Sequence, residues 1–126
     1  MANELILIVE DNEKNRKLAR DVLQVKGYRT IEAETAEAAL ALVTTQIPEL
    51  VLMDIQLPGM NGIQALAKLR ESPATKHIPV IAFTASVMPQ DQHQIVSAGF
   101  DGFISKPISV KEFVATVAAT LQKGRS

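Results

Sequence analysis

The run Leu5-Ile6-Leu7-Ile8-Val9, closed by Glu10-Asp11, sets the tightest limit on how this chain can fold. A strand with one wet face alternates apolar and polar residues, whereas an unbroken aliphatic run has to be covered on both sides. That requirement points to the interior of a parallel sheet flanked by helices. Three more short runs follow the same plan: Leu50-Val51-Leu52-Met53 ends at Asp54, Val80-Ile81-Ala82-Phe83 at Thr84, and Gly102-Phe103-Ile104-Ser105 at Lys106. If these strands are parallel, their carboxyl ends share one edge, where open α/β sheets bind ligands. Glu10, Asp11, Asp54, Thr84 and Lys106 would then converge there.

Helical patterns fill the intervals. Asp11-Asn12-Glu13 offers a cap and an acidic first turn before a helix with Leu18, Val22 and Leu23 on one side, and Gly27 is placed to end it. Tyr28–Ala33 alternates like a strand, and Thr35 can cap an Ala-rich helix over 36–43. Pro58, Gly59, Asn61 and Gly62 make a turn-rich entry to a helix from about Ile63 to Arg70, broken by Ser72-Pro73. Pro89 suits the first turn of a helix to about Ala98, and Ser109 with Glu112 has capping-box spacing before Phe113, Val114, Val117 and Leu121. The spacing therefore predicts an α/β protein of five strand–helix units with right-handed crossovers.

At 126 residues, 47% of them apolar and 21% charged, the chain suits one domain spanning residues 1–126 with no output domain attached. A net charge of -1 provides no field to attract nucleic acid or an anionic membrane. The absence of cysteine excludes disulfides and thiolate metal sites. No apolar stretch approaches a membrane span, and the first residues lack the marks of a signal peptide, so a cytoplasmic location is expected.

Taken singly, the polar residues have ordinary explanations: Asp11 capping a helix, Glu10 solvated, Thr84 a strand-end hydroxyl, Lys106 a surface amine. Taken together they describe chemistry. Three carboxylates at one edge would repel and raise one another's pKa values, a conflict that a hard divalent cation such as Mg2+ resolves. An acyl phosphate on Asp54 would need a cation, a hydroxyl donor and a second positive charge, which metal at Asp11, Thr84 and Lys106 could supply. The ionised carboxylate is already a nucleophile, so no general base is required.

These residues sit in recognisable text: Ile8-Val9-Glu10-Asp11-Asn12, Leu52-Met53-Asp54-Ile55-Gln56-Leu57-Pro58, Met60-Asn61-Gly62, Phe83-Thr84-Ala85 and Ser105-Lys106-Pro107. Over essentially its whole length the chain resembles the receiver domains of bacterial two-component response regulators. The wording around Glu10–Glu13 and Ile104–Ile108 is nearest to single-domain receivers that act in cell-division control. The resemblance implies a flavodoxin-like (βα)5 fold with Asp54 as phosphoacceptor, and Mg2+ bound by Asp11, Asp54 and the backbone carbonyl of Gln56, with Glu10 acting through water. Thr84, Ala85 and Lys106 would hold phosphoryl oxygens, Phe103 would turn inward as the switch aromatic, and Lys106-Pro107 would be a cis peptide. A histidine kinase or histidine phosphotransfer protein would dock on Asn12, Asn15, Pro107 and Ile108. A downstream protein would bind the face formed by 89–98, 102–105 and 110–121. The protein would be a monomer or a weak phosphorylation-dependent dimer, catalysing only its own phosphorylation and slow dephosphorylation.

Other readings share parts of this pattern. A chemotaxis-type or phosphorelay receiver, or a receiver belonging to a hybrid kinase, would carry the same site. An aspartyl-phosphate phosphatase would have an Asp where Gln56 stands, and a flavodoxin would offer Ser, Thr and Gly in place of Glu10-Asp11. His77 precedes a strand and His93 falls on a helix, so both are expected to be surface residues away from the acidic cluster.

Overall fold

The structure, a computed structural model, describes residues 3–84, 89–106 and 108–123. Strands and helices alternate throughout: β1 (Leu5–Val9), α1 (Glu13–Val25), β2 (Arg29–Ala33), α2 (Ala36–Leu42), β3 (Leu50–Asp54), α3 (Gly62–Glu71), β4 (Val80–Thr84), α4 (Pro89–Ala98), β5 (Gly102–Ser105) and α5 (Val110–Lys123). All strands are parallel in one sheet of order β2-β1-β3-β4-β5. The chain reverses its direction of winding after β2, so the crevice outside the carboxyl ends of β1 and β3 is the switch point of the sheet.

The unbroken aliphatic runs now have their explanation. Ile6, Ile8, Leu50, Leu52, Ile81 and Phe83 point to one face and pack on Ala19 and Leu23 of α1 and Phe113 and Val117 of α5. Their chain neighbours Leu7, Val9, Val51, Met53, Val80 and Ala82 point to the other, against Ala36 and Ala39 of α2, Ala65, Leu66 and Leu69 of α3, and Ile95 of α4. Helices therefore cover both faces. Phe83 and Phe113 stack with ring centroids 5.9 Å apart, tying β4 to α5.

Helix ends follow local chemistry. Asn12, flanking the acidic pair, caps α1 by accepting the Asn15 N–H at 3.0 Å. At the other end Gly27, with φ 92°, donates to the Gln24 carbonyl and Tyr28 donates to that of Leu23, a Schellman closure. Tyr28 is thus spent on the turn, and β2 begins one residue later than the alternation predicts. Thr35 caps α2 as expected. Asn61 and Gln64 form a reciprocal capping box that starts α3 at Gly62.

A polar knot that periodicity does not announce joins α3 to the two strands beyond it. The Asp101 carboxylate accepts the Val80 N–H at 2.8 Å and Arg70 Nη2 at 3.1 Å, while Arg70 Nη1 donates to the Ile78 carbonyl at 2.7 Å. Asp101→Ala leaves the Val80 N–H without this acceptor and takes the counter-charge from a largely buried guanidinium, and is expected to cost about 2–3 kcal/mol in urea unfolding. A loss below about 0.5 kcal/mol would show the knot to be ornamental. Among the described residues no helix is long and apolar enough to cross a membrane.

Candidate functional site

Asp54 is the last residue of β3 and Glu10 the first beyond β1, so the adjacent parallel strands deliver both carboxylates to the same edge. One oxygen from each of Glu10, Asp11 and Asp54 can be chosen so that all lie within 4.8 Å of one another. Glu10 is 1% exposed and Asp54 3% exposed, which rules out a solvated Glu10. Capping by Asn12 leaves Asp11 exposed at the mouth of the cluster.

The Lys106 ammonium closes the site from beyond β5, 3.1 Å from Asp54 Oδ2 and 2.8 Å from Glu10 Oε1. It donates a hydrogen bond to Asp54 and forms the shorter ion pair with Glu10, so one ammonium serves both carboxylates. Asp54 Oδ1 accepts the Gln56 N–H at 2.9 Å, and Glu10 Oε2 accepts the Asn12 N–H at 3.1 Å. Lys106 is itself placed by its N–H, which donates to the Thr84 carbonyl at 2.8 Å. Thr84 is buried at the end of β4, beside Ser105 of β5.

Burial is the main reason the Glu10 pKa is pushed from 4.5 to about 7, with Asp54 adding to the rise while Lys106 and the Asn12 amide oppose it. For Lys106 burial works against the charge, but the carboxylates of Glu10 and Asp54 outweigh it and hold its pKa above the usual value. A buried carboxylate that resists ionisation, three carboxylate oxygens within 4.8 Å of one another and an exposed acidic mouth at Asp11 together suit a hard oxygen-seeking cation. The donor set therefore fits Mg2+.

The pH dependence of stability follows. Because the folded form of Glu10 holds its proton more tightly than the unfolded chain, metal-free protein loses stability as pH rises from 4.5 to about 7, and the full cost remains above that. At about 1.4 kcal/mol for each pH unit between the two values, the cost reaches about 3 kcal/mol. Lys106 stays charged across this window and adds no slope. The expected result is that Glu10→Gln, measured in chelator, gains stability over wild type at pH 8 and loses that advantage by pH 5. A difference that stays flat over that range would contradict the Glu10 environment described.

Phe103 lies half-buried in β5 opposite Ala82 and packs against the core on the α2, α3 and α4 face. Asn12 is exposed, Asn15 half-buried, and Ile108 half-buried against the α1 and α5 core. Gln56 is exposed in the loop after β3. Ala85 and Pro107, and with Pro107 the cis peptide, lie outside the described residues. His77 and His93 are exposed and take no part in the acidic cluster.

The response regulator receiver domain matches residues 6–118. The chain belongs to that family. This receiver is 44% identical over 116 residues to the polar-differentiation response regulator DivK of Brucella ovis, covering 92% of this chain and 94% of that one. Its fold is that of a solved receiver from a signal transduction histidine kinase of Syntrophus aciditrophicus, with TM-score 0.87, 28% identity, and 95% and 91% of the two chains covered. It also matches the receiver of a sensor histidine kinase from Pseudomonas aeruginosa, which has a magnesium ion in its active site cleft, with TM-score 0.82, 28% identity and 96% of each chain covered. The receiver is thus a signalling module of two-component systems, and the flavodoxin-like (βα)5 architecture expected from the sequence is the one observed.

Two residues around the site escape sequence reasoning. Gly62 reads as part of a turn, yet a Cβ there would collide with the backbone carbonyl oxygen of Asp54. Arg16, on the polar side of α1, reaches back to donate to the Glu10 carbonyl at 3.0 Å. Neither departs from its local pattern, so periodicity gives no signal for them.

Proposed function

We propose that this receiver is a stand-alone response regulator that takes a phosphoryl group onto Asp54 from a histidine kinase or phosphotransfer protein. The observation that carries the reading is the buried Asp54 carboxylate, held by Lys106 at 3.1 Å and gathered with Glu10 and Asp11. In the transfer an Asp54 carboxylate oxygen forms the new O–P bond as the N–P bond of phosphohistidine breaks, and its electron pair returns to the imidazole. A carboxylate oxygen supplies the attacking lone pair, so the step needs no separate general base.

The rest of the site acts by position and charge, as a loose phosphoryl-transfer transition state demands. The Gln56 N–H holds Asp54 Oδ1 and the Lys106 ammonium holds Oδ2, fixing the carboxylate plane. Asp11, Asp54 and the Gln56 carbonyl would hold Mg2+, with Glu10 acting through water. Bound Mg2+ supplies positive charge against the phosphoryl oxygens. Thr84, Ala85 and Lys106 would bind those oxygens once transferred, drawing the end of β4 toward Asp54 and letting Phe103 turn inward. That change would be read by a downstream protein on α4, β5 and α5, while the donor docks at Asn12, Asn15, Pro107 and Ile108. Resemblance to DivK along nearly the whole of both chains supports a role in cell-cycle or cell-division control.

A small-molecule phosphodonor with Mg2+ is expected to add one phosphoryl group, seen by intact mass and mapped to Asp54, and chelator should prevent it. Phosphoryl uptake that continues in chelator, or that maps elsewhere, would overturn the assignment. Profiling against the histidine kinases of the source organism then identifies the donor by its fastest transfer.

A further inference from the structure

Arg16 ties the acidic loop to the edge of the sheet. The loop residue Glu10 is gripped through its backbone on both sides: its N–H donates to the Ala33 carbonyl of β2 at 3.1 Å, and its carbonyl accepts Arg16 Nη1 at 3.0 Å. The same guanidinium turns Nε to Glu32 Oε1 at 3.2 Å and Nη2 to Glu34 Oε1 at 3.4 Å. Its side chain is 13% exposed, so this planar fork is largely shielded from water. Each partner takes a different nitrogen, a division that a lysine ammonium cannot reproduce with the same geometry.

We propose that Arg16 is a positioning residue for the metal: by fixing the Glu10 carbonyl against β2 it sets the direction in which the Glu10 and Asp11 carboxylates leave the backbone. The inference rests on reading the acidic cluster as a Mg2+ site. Charge alone predicts the reverse of what positioning predicts. A guanidinium near a cation site weakens cation binding, and removing it also uncovers the negative charges of Glu32 and Glu34, so a purely electrostatic Arg16 would tighten Mg2+ when lost. Positioning predicts weaker binding, since partners that orient metal ligands are worth about 10–100-fold in affinity. Arg20 supplies the control. It pairs with Glu32 at 3.2 Å and carries the same charge, and its described contacts are to Glu32 and Asp21, with none to Glu10.

The test is Mg2+ titration of the full chain by calorimetry, with the Glu10, Asp11 and Asn12 amide resonances followed in parallel. Arg16→Met is expected to weaken Mg2+ binding about tenfold and to shift those amides in the metal-free protein, with Arg16→Lys intermediate and Arg20→Met within about twofold of wild type. If Arg16→Met does not fold, Arg16→Lys carries the same comparison. Wild-type binding with unchanged or tighter affinity in both Arg16 variants overturns the inference while leaving the metal site standing. Equal weakening by Arg20→Met also overturns it, because charge around Glu32 would then be the cause. A wild-type protein that binds no Mg2+ overturns the metal reading and this inference together.

Discussion

Asp54→Asn protein is expected to take up no phosphoryl group from any donor, because a carboxamide has no anionic oxygen to attack phosphorus. The substitution keeps the shape of the side chain but only one acceptor oxygen, so it can hold the Gln56 N–H at Oδ1 while an amide NH2 replaces the oxygen that accepted from Lys106. Loss of labelling without loss of fold is therefore the expected pair of results. Removing one negative charge beside Glu10 also eases its ionisation, so the variant should gain less stability from added Mg2+ than wild type does. Lys106→Met separates position from nucleophilicity: the carboxylate remains, and transfer is expected to slow by about 10²–10³-fold through loss of a preorganised cation. Retention of wild-type transfer rates in Lys106→Met would remove the ammonium from the reaction. Its stability should fall most at alkaline pH, where Glu10 is forced to ionise without the ammonium that otherwise lowers its pKa.

Gly62→Ala is expected to be among the most damaging single substitutions for its size. The added methyl would meet the Asp54 carbonyl oxygen and lie 2.9 Å from Ile55 Cα, both backbone atoms that have no rotamer in which to retreat. The loop after β3 doubles back so tightly that the Gly62 N–H donates to the Ile55 carbonyl at 3.1 Å. Either the start of α3 or the end of β3 must move, at a cost of about 2–4 kcal/mol. Because Asp54 belongs to the displaced segment, phosphoryl uptake should fall as well, and a misplacement of about 1 Å can cost 10²-fold. Gly102→Ala is the matched comparison. Its Cβ would meet only side-chain atoms of Thr116, Thr120 and Ile81 at 3.8–3.9 Å, so its stability should stay within about 0.5 kcal/mol of wild type. Equal stability of the two variants in urea would show that α3 can yield at no cost.

Much of the site is legible in the order of residues because of how parallel sheets are built. A strand buried on both faces tolerates polarity only at its end, so a carboxylate or ammonium closing an aliphatic run marks the sheet edge. Asp54, Thr84 and Lys106 were found this way, and the structure brings Lys106 to both Asp54 and Glu10. Less visible was the fate of the acidic pair. Asp11 and Asn12 are both good caps, and only the geometry shows that Asn12 takes the role and leaves Asp11 exposed at the cluster. The sequence likewise gave no warning that Glu10 is almost wholly buried, although it flanks an exposed loop.

What the order of residues determined by itself was the alternation of strand and helix, the sheet edge that carries the chemistry, and membership of the receiver family. Those follow from local periodicity and from which residue types a buried strand can end with. Tertiary structure alone decided the raised Glu10 pKa, the grip of Arg16 on the acidic loop, the Arg70–Asp101 knot and the need for glycine at 62. Each of these depends on a distance between segments far apart in sequence or on a loop folding back on itself. Hydrophobic patterning sets which face a residue presents, and only packing sets how near two faces come.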